Sequence, residues 1–193
     1  MDPDVARRDL ADIRSWMDEG RRVVVETWRH QVWWGVVSAV ALVATWWAVR
    51  QAAWGAAWVL WPVALALGWA GSAVLGRAGP PRASNQATRA FEALWVGTGV
   101  TLSIVGTLGL YGGGLTPEAL PGVVAAVFGG AYFTTARVSG IGWLRGVAVG
   151  WWAGAAVLLL WPGDAALLVL AALALLGEAG PGLVLSRSSE RRS

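Results

Sequence analysis

The sequence predicts an all-α membrane protein: six transmembrane helices in a bundle, preceded by a charged N-terminal amphipathic helix. Of the 193 residues, 56% are hydrophobic and 14% are charged, whereas an average soluble domain has about 25% charged residues. Six long apolar stretches follow a charged beginning, and about 18 apolar residues suffice to cross a bilayer. The fifteen tryptophans gather mainly near the ends of these stretches. The predicted parts are residues 1–30, the transmembrane domain 31–185 and a basic tail 186–193.

Residues 2–29 are predicted to form the polar helix. Asp2 can cap its start, and Pro3 suits the first helical position. Charges of alternating sign recur four residues apart, in the series Asp4–Arg8–Asp12 and Arg14–Asp18–Arg22–Glu26. Such a helix can lie on the membrane surface, pack under the bundle or bind a partner. We expect a surface helix that continues into the first span.

The six spans are predicted at 31–49, 56–76, 91–112, 120–137, 142–161 and 164–184. The breaks between them contain glycine and proline, which interrupt helices. Three of these breaks read "RAGPPRASNQATR", "YGGGLTPEALP" and "WPGD". The chain therefore crosses the membrane an even number of times in this prediction.

The distribution of arginines predicts the orientation. Fourteen of the fifteen arginines fall on one side of the predicted spans, and only Arg50 falls on the other. Positively charged loops stay in the cytoplasm. Both termini are therefore predicted to be cytoplasmic.

The tryptophans are predicted to form mainly an interfacial belt. Trp28 and Trp47 are separated by about 28 Å along a helix at 1.5 Å per residue, which matches a hydrocarbon layer of about 30 Å. Trp69, Trp151 and Trp152 fall nearer the middle of the bilayer. Because a buried indole N–H needs an acceptor, these three residues are candidates for lining a pocket.

Small residues at every fourth position predict close helix contacts, since membrane helices associate through small side chains. The fifth span carries the clearest register. The stripes comprise Gly142, Gly146, Gly150 and Gly154 in the fifth span, Ala64, Gly68, Ser72 and Gly76 in the second, and Gly122, Ala126, Gly130 and Thr134 in the fourth. We expect these contacts within one chain, with contact between two copies as the alternative.

Four charged residues lie near predicted cytoplasmic helix ends: Glu92, Arg137, Arg145 and Glu178. The simpler interpretation is that they anchor the helices by reaching the headgroup layer. The alternative is that they line a solute pathway. A polar line along the third span, including Thr98 and Ser103, could also line a path, although such hydroxyls usually bond to carbonyls of their own helix.

Several catalytic chemistries are excluded by composition. The chain has no cysteine and no lysine, which excludes disulfides, thiolate chemistry and lysine Schiff bases. Its single histidine, His30, provides neither a two-histidine metal site nor a serine–histidine dyad in the membrane. We therefore predict no enzymatic activity, no cofactor and no metal.

The segment "DLADIRSWMDEGRR", leading into "WWG", resembles a group of uncharacterised bacterial six-helix membrane proteins with D/E-L-x-x-I-R-x-x-M-E before the first span. The stretches "LPGVVAAVFGGAYFTTARVSGIG" and "LGEAGPGLVLSR" are also similar to that group. This chain departs from the group by lacking a histidine in the last span. The resemblance implies six helices in a bacterial inner membrane and implies no activity.

The sequence favours a non-enzymatic membrane protein with a regulatory, scaffolding or assembly role. Its N-terminal helix would dock a protein partner, the bilayer would surround the bundle, and a homo-oligomer is possible. No partnership with nucleic acid is expected. The alternative is a small-solute transporter, or the substrate-binding membrane subunit of one. A transporter would need a cavity with convergent polar groups, whereas a scaffold would be packed solid.

Overall fold

The computed structural model describes residues 18–78, 86–110, 112–163 and 165–190, and this part of the chain is helical without a strand. A helical segment at 18–26 precedes six longer helices. They are α1 (Trp28–Arg50), α2 (Trp54–Ala78), α3 (Gln86–Ile104), α4 (Leu120–Ser139), α5 (Leu144–Leu160) and α6, which begins at Ala166–Ala174. Helix α3 continues through a π-helical turn at Val105–Gly109. Helix α6 continues through a π-helical turn at Leu175–Ala179 and then through Gly180–Glu190.

Four helices in the described ranges are long and apolar enough to cross a membrane: Trp28–Arg50, Val59–Arg77, Thr88–Gly109 and Ala166–Arg187. Helix α5 is apolar but only 17 residues long. Helix α4 has 20 residues and includes polar and charged side chains, among them Arg137. The sequence therefore contains several membrane-length helices, in an all-helical fold.

The core of the bundle consists of α1, α4, α5 and α6. Helices α4 and α5 pack along their length, and α1 packs against α6. The largest completely buried side chains include Tyr132, Leu144, Trp151 and Leu158. Helix α2 packs on α1, and α3 packs on α4, so that both lie at the periphery and expose most of their apolar side chains.

Two tryptophans hold α2 against α1. The indole of Trp33 donates a hydrogen bond to the Gly68 carbonyl at 3.2 Å, and Trp34 donates to the Ser72 hydroxyl at 2.8 Å. The Trp34 ring occupies the space that a side chain at Gly68 would need. Gly68 thus leaves room for an aromatic side chain of the neighbouring helix. The Trp34 ring lies between the backbones of α1 and α2 at this point.

Helices α1 and α6 approach each other more closely, because glycines bring the two backbones together. A Cβ atom at Gly35 would lie 2.6 Å from the Ala179 nitrogen and 2.9 Å from the Ala174 oxygen. A Cβ atom at Gly182 would lie 2.8 Å from the Trp28 oxygen. Since real Cβ atoms do not approach a backbone this closely, a larger residue at either glycine would force the helices apart.

The four-glycine stripe of α5 does not form the contact predicted within one chain. A Cβ atom at Gly146 or Gly150 would meet no atom within 4 Å, and at Gly142 only the Arg145 side chain at 3.9 Å. Gly154 alone packs closely, against Leu173. A spacing of four residues defines one helix face, but it does not say whether that face turns inwards, and here most of it turns outwards.

Contacts between α4 and α5 use another glycine. Gly129 lies beneath the Trp152 ring, and the Trp152 indole donates a hydrogen bond to the Ala126 oxygen at 3.3 Å. Gly130, which was predicted to lie at a contact, has open space where its side chain would be. Gly122 of the predicted stripe does pack closely, since a Cβ atom there would lie 2.5 Å from the Leu159 side chain. The contact of α4 with α5 therefore uses Gly122 of the stripe together with Gly129 beside it.

The helical segment 18–26 packs against one end of the bundle, which we call the base. Val23, Val24 and Val25 are buried, and a Cβ atom at Gly20 would lie 2.9 Å from the Val138 oxygen at the end of α4. On the outer side, Arg22 donates a hydrogen bond to Glu26 at 2.7 Å, which raises the pKa of Arg22. Of the alternatives for the N-terminal helix, packing under the bundle describes this segment. Residues 2–17 lie outside the described part.

Candidate functional site

The four charged residues predicted near helix ends are placed in two different environments. Glu92, Arg137 and Arg145 are exposed at the surface, and they do not converge with Trp151. Glu178 is only 4% exposed. Its interpretation as an anchor reaching the headgroup layer is therefore wrong, because its side chain is enclosed by protein.

Glu178 lies well inside its helix. The apolar stretch of α6 runs from Ala166 to Arg187, so that Glu178 is about 18 Å from the first end and about 14 Å from the second at 1.5 Å per residue. Its Oε2 atom is buried and has no hydrogen-bond partner in the part of the chain that the structure describes. A carboxyl group buried in this way is costly unless it is paired or neutralised.

Two residues of α4 bring further polar atoms into the same interior. Tyr132 and Thr135 are completely buried, and neither hydroxyl has a hydrogen-bond partner among the described residues. The charge of an ionised Glu178 acts on the Tyr132 phenol. The phenol of α4 and the carboxyl of α6 therefore lie in the same buried core.

The polar face of α4 continues towards the base at Ser139, which is buried. The Ser139 hydroxyl donates a hydrogen bond to the Thr135 carbonyl at 2.7 Å and accepts one from the Ile141 backbone at 3.3 Å. Tyr132, Thr135 and Ser139 are spaced three and four residues apart, and this spacing places them on one helix face. The face is about 10 Å long at 1.5 Å per residue.

Helix α1 contributes Gln31, whose amide nitrogen and oxygen are both buried and have no partner within the described ranges. Thr27, one turn earlier, is also buried, and its hydroxyl donates to the Val24 oxygen at 2.9 Å. Since Gly35 lies opposite Ala179, Gln31 lies about one turn nearer to the base than Glu178 does. We call Gln31, Tyr132, Thr135 and Glu178 the buried polar set.

The π-helical turn at Leu175–Ala179 positions Glu178. A π turn inserts a residue into the helix and turns the following side chains to a new face, and such turns are frequent at functional sites. The turn is fixed from the side, because the Trp151 indole donates a hydrogen bond to the Gly177 oxygen at 3.1 Å. Trp151 in turn stacks on Phe128, with ring centroids 4.7 Å apart and planes inclined by 17°.

The three tryptophans that were predicted to lie near the middle of the bilayer have different environments. Trp151 is 1% exposed, whereas Trp69 and Trp152 are 44% and 40% exposed. Trp69 packs edge-on against Trp34, with ring centroids 5.7 Å apart. Trp151 and Trp152 both donate to backbone oxygens of neighbouring helices. The indole N–H groups of Trp151 and Trp152 therefore have the acceptors that we expected, and these acceptors are main-chain oxygens at helix contacts.

A groove of about 530 Å³ lies on the outer surface of α1, lined by apolar side chains of that helix and by Leu175. None of the predicted pocket residues lines it. The polar line predicted along α3 makes local bonds, because Thr98 donates to the Leu94 oxygen and Ser103 to the Gly99 oxygen, each at 2.8 Å. The deep polar groups belong instead to α1, α4 and α6.

Sequence reasoning missed Gln31, Tyr132 and Thr135. The signal for the two residues of α4 was present, since Tyr132, Thr135 and Ser139 recur at helical spacing within an apolar stretch. No comparable signal marks Gln31 in the sequence, because a glutamine beside the predicted start of a span is also typical of an interfacial residue.

No family model, curated protein or solved structure matches this chain. The resemblance of its N-terminal motif to a group of bacterial membrane proteins therefore stays a prediction. Arguments about function rest on the residues of the chain itself.

Proposed function

We propose that this protein is a six-span bacterial inner-membrane protein with a regulatory, scaffolding or assembly role and no catalytic chemistry of its own. Four helices have the length and apolar character for crossing. Helices α4 and α5 have 20 and 17 residues, or about 30 Å and about 26 Å along their axes, which is close to the thickness of the hydrocarbon layer.

The proposed orientation has the base of the bundle in the cytoplasm. The fourteen-to-one division of arginines supports it, because positively charged segments remain on the cytoplasmic side. The helical segment 18–26 packs beside Val138 near the end of α4, so that this segment and the loop after α4 lie at the same end. This agreement supports an even number of crossings.

The observation that carries the proposed role is the position of the helical segment 18–26. Its valines are buried against the base, whereas Asp18, Arg21 and Arg22 face outwards. An element that is fixed to the bundle on one face and charged on the other is suited to docking a protein partner, since charge complementarity selects and orients partners.

Co-purification from native membranes with two matched charge reversals tests this role. Arg21→Glu changes the exposed face of the segment, and Arg77→Glu changes an exposed arginine at the end of α2. We expect a specific partner that is retained by the wild type and by Arg77→Glu and lost with Arg21→Glu. Recovery of the same proteins with all three chains would contradict the proposal, as would recovery of none.

The second candidate is a small-solute transporter, and the observation that favours it is Glu178. An ionisable residue buried within a membrane helix marks a solute or ion pathway by default. Mass spectrometry of the purified protein would test this candidate. A small molecule that is retained by the wild type, lost with Glu178→Gln and kept with Glu92→Gln would favour transport over scaffolding.

A further inference from the structure

We propose that Glu178 is a proton-binding site inside the bundle, and that its proton exchanges with water at the base through the polar face of α4. This inference goes beyond the scaffolding role and does not depend on it. It rests on buried polar atoms that protein groups leave without partners, on their alignment along one helix face, and on the turn that points Glu178 inwards.

The first step is the burial of Glu178. Its carboxyl group is almost inaccessible, and Oε2 has no hydrogen-bond partner among the described residues. An ionised carboxylate in such a place keeps neither its water nor a compensating charge, and the usual outcome is that the group takes up a proton. A protonated carboxyl still needs partners, since it has one hydrogen to donate and oxygens that accept.

The second step is the neighbouring phenol. Tyr132 is completely buried in the same core, and the charge of an ionised Glu178 acts on its phenol. Its hydroxyl has no hydrogen-bond partner among the described residues. A phenol both donates and accepts a hydrogen bond, so that it can pair with either protonation state of the carboxyl, directly or through one water. Trp95 encloses the phenol from α3, edge-on at a centroid distance of 5.2 Å.

The third step is a route to the base. Thr135 and Ser139 continue the polar face of α4 beyond Tyr132, and Gln31 lies about one turn nearer to the base than Glu178 on α1. The Thr135 hydroxyl and both polar atoms of the Gln31 side chain have no protein partner. Buried groups of this kind hold ordered water where there is room, and a line of such groups and waters conducts protons.

The other titratable groups on the packed helices have different positions. The arginines of α4 and α5, Arg137 and Arg145, are exposed, as are Arg29 of α1 and Arg187 of α6. His30 of α1 makes a hydrogen bond through Nε2 with the Ser72 oxygen, and the Arg50 guanidinium lies over the Trp46 ring. Among the described residues of these helices, Tyr132 is the titratable group that is buried in the same core as Glu178.

A proton explains the site better than a metal cation does. Calcium and magnesium take six or more oxygen ligands, usually with two or more carboxylates or with several waters. The buried polar set supplies a single carboxylate together with hydroxyl and amide groups. One proton neutralises that carboxylate without any further ligand.

Labelling of the full chain in native membranes with dicyclohexylcarbodiimide tests the proposal, because this carbodiimide modifies protonated carboxyl groups in apolar surroundings. Peptide mass spectrometry would compare Glu178 with the exposed Glu92 in the same molecule. We expect at least about tenfold more label on Glu178 near neutral pH, and a decrease as the pH rises, because burial favours the protonated form.

Two variants and one ion complete the test. Glu178→Gln should remove the label, and Tyr132→Phe should move the pH at which labelling is half complete, without changing the label on Glu92. Equal labelling of Glu178 and Glu92 would overturn the proposal, and so would the absence of label on Glu178 in the wild type. Protection of Glu178 by added sodium at constant pH would replace the proton with a metal cation as the ligand.

Discussion

Trp151 donates its indole N–H to the Gly177 oxygen at 3.1 Å, and this bond joins α5 to the π-helical turn of α6. The indole lies against the glycine itself, since a Cβ atom at Gly177 would be 2.6 Å from Nε1. Glu178 follows directly in the chain. The contact therefore fixes the backbone from which the buried carboxyl projects, at the place where a π turn has broken the ordinary helical pattern.

The first prediction concerns this contact. Trp151→Phe removes the hydrogen bond and part of a buried ring, and we expect a loss of about 1–3 kcal/mol in the free energy of unfolding. The loss would be measured as reduced thermal stability in detergent. Trp161→Phe is the control, because Trp161 is exposed. Equal losses in the two variants would show that the Trp151 bond does not hold the turn.

The second prediction separates the two kinds of glycine. Gly129→Leu should destabilise the protein by about 1–3 kcal/mol or more, because the added side chain must displace the Trp152 ring. Gly150→Leu should change stability by less than about 0.5 kcal/mol, as is usual for open surface positions. Thermal unfolding in detergent would provide both values. A large loss with Gly150→Leu, accompanied by a change in oligomeric state, would show that the stripe of α5 packs against a second copy.

The third prediction concerns the helical segment at the base. Val24→Asp places an unpaired charge among buried side chains, which is strongly unfavourable, so that the segment should leave the bundle. Trypsin should then cleave faster after Arg22 and Arg29. Glu26→Gln changes only the outer face and should leave the cleavage rate near that of the wild type. Unchanged cleavage of Val24→Asp would mean that the valines do not fix the segment.

The fourth prediction concerns topology. A reporter that is active only in the periplasm should be silent when it is fused after Ser193 and active when it is inserted in the 113–118 loop. The reason is the arginine distribution, which predicts that both termini are cytoplasmic. Activity of the fusion at Ser193 would overturn the six-span arrangement.

The helical fold could be predicted from the sequence because long apolar stretches and their glycine- and proline-containing breaks depend on local composition. The faces of the helices were harder to predict. The glycine register at 142–154 was clear in the sequence, yet the structure turns Gly146 and Gly150 outwards and uses Gly129 and Gly35 instead. Which stripe is buried depends on the neighbouring helix, and a single sequence does not identify that neighbour.

The candidate site shows the same limit for polar residues. Glu178 was recognised as a candidate, but its distance from the predicted helix end suggested an anchor at the interface. The structure continues α6 to Glu190 and inserts a π turn at Leu175–Ala179, so that Glu178 lies deeper and faces the core. Neither feature has a hydropathy signature, because both arise from packing against α1 and α5.

The pairing of α1 with α6 has a consequence for biosynthesis. Gly35 meets Ala174 and Ala179, which are synthesised much later than α1, whereas α4 and α5 are neighbours in sequence and can pair as a local hairpin. Contacts between distant parts of a chain form late, because a long loop must first be closed. The glycine face of α1 therefore stays uncovered until α6 has been synthesised, and a chain truncated before α6 exposes that face to the cell's quality-control machinery.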